Sequence, residues 1–145
     1  MEDRFLTYWF RGLEEGLEHM SEEERTILLS ACGKACSCSY SLGVYQDAYA
    51  KAADMNEFLK NLKEAFPELS YRVSGDQRTV TILYDHCACD LYTKGLVKSG
   101  LLCECSLRSL LYNWEAVMGE GRVEVEMKGS ILRGDKRCVF EVRVK

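Results

Sequence analysis

Four of the chain's eight cysteines fall in the stretch "HCACDLYTKGLVKSGLLCECS", residues 86 to 106, as two Cys-x-Cys pairs. In extended backbone residues i and i+2 project to the same side, so each pair can aim both sulfurs at one point. A turn between the pairs would let Cys87, Cys89, Cys103 and Cys105 surround one ion. Zinc held by four thiolates needs bonds of about 2.3 Å in a tetrahedron, and this set can supply the ligands. Zinc therefore leads as the candidate metal, although the usual structural spacing of two to four intervening residues is absent. An iron–sulfur cluster ranks below it, because the ferredoxin spacings are missing.

The same residues also admit nucleophilic chemistry. Cys105 directly precedes Ser106, the expected N-cap of a helix over residues 107 to 118, where unpaired amides and the helix dipole lower a thiol's pKa. A base is scarcer, since there are only two histidines. His19 closes a charged helix and is expected in solvent, and His86 adjoins Cys87 on the opposite side of an extended backbone. Asp90 and Glu104 lie among the thiols, where a carboxylate could orient a water or a substrate amine. A third chemistry is apolar ligand binding, for which Tyr84, Tyr92 and Trp114 are the nominated contacts among the tyrosines near the cysteine segments. Against all three stands the reading of buried cysteine as a small apolar side chain. That reading suits Cys138, which is in register with Phe140, Val142 and Val144 on one strand face, while Cys38 sits in a polar loop with no assigned role.

Amphipathic patterns supply the elements that would position these groups. Phe5, Leu6, Trp9, Phe10, Leu13 and Leu17 predict a first helix with one buried stripe. Ser21 and Glu24 form a capping box that predicts a second, with Ile27, Leu28 and Ala31 inward and Cys32 and Cys36 neighbours on one face. After the loop-like "SCSYSLG", the spacing from Ala48 to Leu62 predicts a third helix stopped by Pro67. The period then switches to two, with a hairpin around Gly75-Asp76 and a second formed by "RVEVEM" and "CVFEVRV", flanking the helix that Gly119 ends. The expectation is one α+β domain over residues 1–145: a helical part, 1–66, packed on an antiparallel sheet of about four strands made by two hairpins, with the cysteine loop and one helix between them.

Length and charge bound what such a domain does. At 145 residues the chain can bury a core without disulfides. A net charge of −4 with no basic block argues against nucleic acid as a partner. The acidic, amphipathic start and the lack of a long unbroken apolar run predict neither a leader nor a membrane span. Reducing cytosol is then the expected location, where clustered cysteines bind metal or react more often than they pair. A small molecule and a second copy of the chain are the partners this leaves open.

The run "CSLRSLLYNWEAVMGEGRVEVEMKGSILRGDKRCVFEV", with its cysteine before an aromatic helix and its Gly134-Asp-x-x-Cys-x-Phe-Glu141 ending, resembles the C-terminal pattern of 4-vinyl-reductase-type ligand-binding domains. It is similar as well to the L-2-amino-thiazoline-4-carboxylic acid hydrolase-like family and to uncharacterised cysteine-rich bacterial proteins, which "CGKAC" and "CACD" also match. The resemblance implies a sensor-like fold with a small molecule between helices and sheet. It also implies a zinc site which, carried over by position, falls near Cys105, Glu126, Ser130 and Cys138, with serine standing where the pattern has cysteine. The reading is a cytoplasmic metal- or small-molecule-binding domain acting as sensor or carrier. The alternative is a small hydrolase acting on a heterocyclic or amide-containing acid through Cys105 or an activated water.

Overall fold

Two amphipathic patterns and a capping box open the chain, and the computed structural model, which describes residues 3–87 and 89–145, turns them into helices α1 (Arg4–His19) and α2 (Glu22–Cys36). The capping box forms as its residues require: the Ser21 hydroxyl accepts from the Glu24 amide at 3.2 Å, and the Glu24 carboxylate accepts from the Ser21 amide at 3.0 Å. These bonds hold the Glu24 carboxyl below its usual range. The inward face of α2 is not the one expected. Ile27 is 74 % exposed, and the buried positions are Leu29, Gly33 and Ser37, one helical turn apart. The anticipated loop "SCSYSLG" is helical too. A single π-helical turn (Ser37–Ser41), which carries Cys38 on its exposed side, joins α2 to α3 (Leu42–Ala50).

By length and composition alone this 29-residue run, Glu22–Ala50, could cross a bilayer. Here it packs against the protein, with the Ser37 hydroxyl bonded to the Ser109 carbonyl at 3.0 Å and the Ser109 hydroxyl at 2.7 Å. The helix expected from Ala48 to Leu62 is divided. Asp54 caps a new helix, α4 (Met55–Ala65), through the Glu57 amide, and Pro67 follows its end.

The remaining chain builds the sheet: β1 (Leu69–Val73), β2 (Thr79–Tyr84), a one-turn helix α5 (Asp90–Thr93), the long α6 (Cys103–Met118), β3 (Val123–Gly129) and β4 (Cys138–Val144). All pairings are antiparallel in the order β1-β2-β4-β3, so the two hairpins join through β2 and β4. The fold is α+β, with helices on the sheet as the pattern predicts. Alternation decides the faces. Leu69, Val80, Ile82, Val123, Phe140 and Val142 are buried beneath α3, α4 and α6 around Trp114, Phe58 and Tyr45. Glu124, Glu126 and Arg143 face the other way and form ion pairs. A smaller cluster of Leu17, Leu29, Val97 and Leu102 ties α1 and α2 to the segment before α6.

Candidate functional site

The β2–β4 register sets Tyr84 opposite Cys138, at the end of the sheet where the cysteine segment begins. Above that edge lies a cavity of about 540 Å³, walled by α2 and the π-turn on one side, α6 on another, and the sheet with Cys87 and the 89-to-102 segment beneath. Cys32, Cys36, Cys87, Cys89, Cys103, Cys105 and Cys138 all line it, and Cys38 is the one cysteine that does not. The rest of the wall is mostly apolar, including Val97, Leu102, Leu110, Met127 and Phe140. The cysteines thus share one volume although they come from four separate parts of the chain.

They do not share one point. The 3₁₀ turn Gly100–Leu102 feeds α6 directly, so Cys103 and Cys105 lie in its first turn rather than in extended backbone, and Ser106 is inside the helix instead of capping it. Residues two apart on a helix diverge. Cys103 is buried and meets the Ser130 hydroxyl at 3.0 Å, while the thiols that act on Cys105 most are Cys32 and Cys36 across the cavity. Among the described residues no group of three or more His, Cys, Asp or Glu side chains is disposed to hold a metal ion. The set Cys87, Cys89, Cys103 and Cys105 therefore faces a common space without forming a tetrahedron. The zinc set implied by resemblance fits less well still. Glu126 lies on the outer face paired with Lys128 at 3.1 Å, and the Ser130 hydroxyl is engaged by Cys103.

Burial governs the protonation of these thiols. It pushes Cys105 up to about 12, with Cys32, Cys36 and Cys89 adding like-charge repulsion. That reverses the lowering expected from the helix end, because the dipole contribution is small beside desolvation of a thiolate in an apolar wall. Cys87 is also raised by burial, and Cys103 is raised by burial against the opposing pull of its Ser130 hydrogen bond. Ser130→Ala is expected to cost about 1 kcal/mol in urea unfolding and to push the Cys103 thiol higher still, seen as slower alkylation of that residue. Tyr84 rises to about 12 and Tyr45 well above its usual value, both through burial.

The other nominated residues separate. Tyr84 lines the cavity; Trp114 is fully buried in the core beneath, in edge-to-face contact with Phe58 at 5.3 Å; Tyr92 is 37 % exposed on α5 and outside the lining. Asp90 stands at the rim, whereas Glu104 is turned to the α2–α6 interface, accepting from Thr26 at 2.9 Å and pairing with Arg108 at 3.2 Å. His19 and His86 are exposed, and neither is among the lining residues. Of the lining residues that the sequence reading does not single out, one stands apart. Asn113 is 3 % exposed, donates to the Ser41 hydroxyl at 3.0 Å, and leaves its own Oδ1 without a partner. A buried carbonyl of that kind normally has one. Its position beside Trp114 on α6 gave no periodic signal that could have singled it out.

The chain matches no family profile and no curated protein. In fold it is similar to a trafficking protein particle complex subunit 3 from Naegleria fowleri, solved covalently bound to palmitic acid, with a TM-score of 0.52 and 18 % identity over 97 % of this chain and 93 % of that one.

Proposed function

We propose that this chain is a binding domain for an elongated apolar small molecule, such as an acyl chain, which it carries or senses. The observation that carries the reading is the cavity of about 540 Å³, lined by apolar groups and thiols, a size within the roughly 300–1,000 Å³ of small-molecule sites. The free Asn113 carbonyl supplies the kind of convergent polar group that fixes a ligand's orientation, and it calls for a donor such as a hydroxyl, an amide or a protonated carboxyl. The palmitate of the structural neighbour and the ligand-binding role implied by the resemblance to 4-vinyl-reductase-type domains support the same class.

The hydrolase alternative draws less support. It needs an ionised Cys105 or an activating base; burial keeps that thiol protonated, both imidazoles lie outside the lining, and the Asp90 carboxylate stands only at the exposed rim. Native mass spectrometry of the purified chain, with a dansyl-labelled undecanoic acid as displaceable probe, tests the proposal. Saturable probe binding, displaced by palmitate and weakened about tenfold by Asn113→Leu, is expected. No bound organic molecule and no displaceable probe would end it. Metal analysis of the same anaerobic preparation tests the zinc expectation.

A further inference from the structure

Helix α1 is amphipathic along its whole length but packed along only half of it. Its second half is anchored: Leu17 is fully buried, Phe10 and Leu13 are half-buried, and the Glu14 carboxylate accepts from the Lys98 and Ser99 amides at 3.0 and 2.8 Å. Its first half projects, leaving Phe5 71 %, Tyr8 55 % and Trp9 54 % exposed. On a helix these three fall on one strip with Gly12 and Gly16, related by steps of three and four. A Cβ at either glycine would meet nothing within 4 Å, so the strip ends in two open gaps. Large rings at one end and glycine gaps at the other make the strip complementary to itself turned end for end.

Charge follows the same division. Along one flank of the strip, Arg4 lies at the N-terminal end, Arg11 at mid-helix, and Glu15 and Glu18 towards the C-terminus, and all four are exposed. Arg4 and Arg11 both stack on Tyr8, at 5.4 and 4.9 Å from its ring centre, which holds Arg4 beside the exposed rings. In an antiparallel pair, residues on the same flank of each helix face one another. We propose that a second copy of this chain docks along the exposed face of α1 in antiparallel sense, seating Phe5 and Trp9 over Gly16 and Gly12 of the second copy and setting Arg4 against its Glu15 and Glu18. Such a contact is two-fold symmetric, so every interaction occurs twice. Aromatic and arginine residues are the side chains that such interfaces concentrate. A phospholipid surface suits the strip less, because Asp3, Glu14, Glu15 and Glu18 outnumber Arg4 and Arg11 on this helix.

Sedimentation equilibrium at micromolar concentration tests this. The wild-type chain is expected to be a dimer. Gly12→Leu with Gly16→Leu should fill open space, leave the melting temperature of the chain unchanged or higher because glycine weakens an exposed helix, and weaken dimerisation by at least about tenfold. Arg4→Glu should weaken it as well, and Arg4→Glu combined with Glu15→Arg and Glu18→Arg should restore it. A wild-type monomer, a dimer indifferent to both the glycine and the charge variants, or a monomer whose Trp9 emission shifts to the blue on anionic phosphatidylserine vesicles would each overturn the proposal.

Discussion

Cys105 is expected to react with iodoacetamide at pH 7 to 8 about a thousandfold more slowly than an unburied thiol. The thiolate is the reacting species. Raising its pKa from 9.0 to about 12 lowers the thiolate fraction by about tenfold per unit throughout that range. Site-resolved mass spectrometry after timed labelling gives the rate, which should climb tenfold per pH unit beyond pH 9 without levelling off. A plateau near pH 9 would show a solvated thiol and restore Cys105 as a nucleophile. Occupancy of the cavity by an apolar ligand should slow the reaction further, which links this measurement to the binding proposal. Stability follows the same protons. A buried thiol or phenol that keeps its proton in the folded chain contributes fully below the unfolded pKa, near 9 to 10. The contribution is lost as pH rises towards the folded value, about 12 for both Cys105 and Tyr84. Unfolding in urea should therefore become easier through that alkaline window and be insensitive to these groups at neutral pH.

The elements that strong local chemistry determines were legible in the sequence. Ser21 and Glu24 cap a helix through bonds within four residues of chain, and β1 and β2 pair across a turn that Gly75 and Asp76 encode. Burial of Cys138 beside Phe140 and Val142 also follows from alternation alone. Two of the differences share one cause, contact between small residues distant in sequence. Gly33 and Ser37 carry no hydrophobic signal, yet they form the face of α2 that meets α6, so Ile27 and Ala31 were oriented inward when they point to solvent. "SCSYSLG" has the composition of a loop, but Ser37 and Asn113 bond across to Ser109 and Ser41 and keep it helical. The start of α6 lies four residues earlier than expected because Ser106 offers a local cap, while the hydroxyl that caps is Ser99, at the preceding 3₁₀ turn. The expected start leaves Cys103 and Cys105 in extended backbone, whereas the observed one puts both in the first turn of α6. Local patterns cannot place the seven-thiol cavity, since the β2–β4 pairing and the close α2–α6 contact that create it are both long-range.

That close contact is also where the largest loss of stability is expected. A Cβ on Gly33 would stand 2.8 Å from the Cys105 carbonyl oxygen and the Ser109 amide nitrogen, and 3.0 Å from the Arg108 Cβ. Two of these are backbone atoms of a helix and cannot swing aside, so α2 and α6 must separate. Separation strains the Ser37–Ser109 and Thr26–Glu104 hydrogen bonds and leaves their buried groups short of partners. Gly33→Val is expected to cost about 3 kcal/mol or more, at the upper end of overpacking. Gly43→Ala is the control: it too lies in a helix, nothing stands within 4 Å of its Cβ, and it should stabilise by up to about 1 kcal/mol. Opposite signs for the two glycines in urea unfolding would locate the effect in the helix contact rather than in helix propensity. Because Cys32 and Cys36 flank Gly33 and face Cys105, moving α2 outward also opens the cavity wall. Gly33→Ala, the smaller insult, should therefore speed Cys105 alkylation and weaken probe binding in protein that is still folded. Unchanged reactivity at Cys105 would show that the cavity does not depend on this approach.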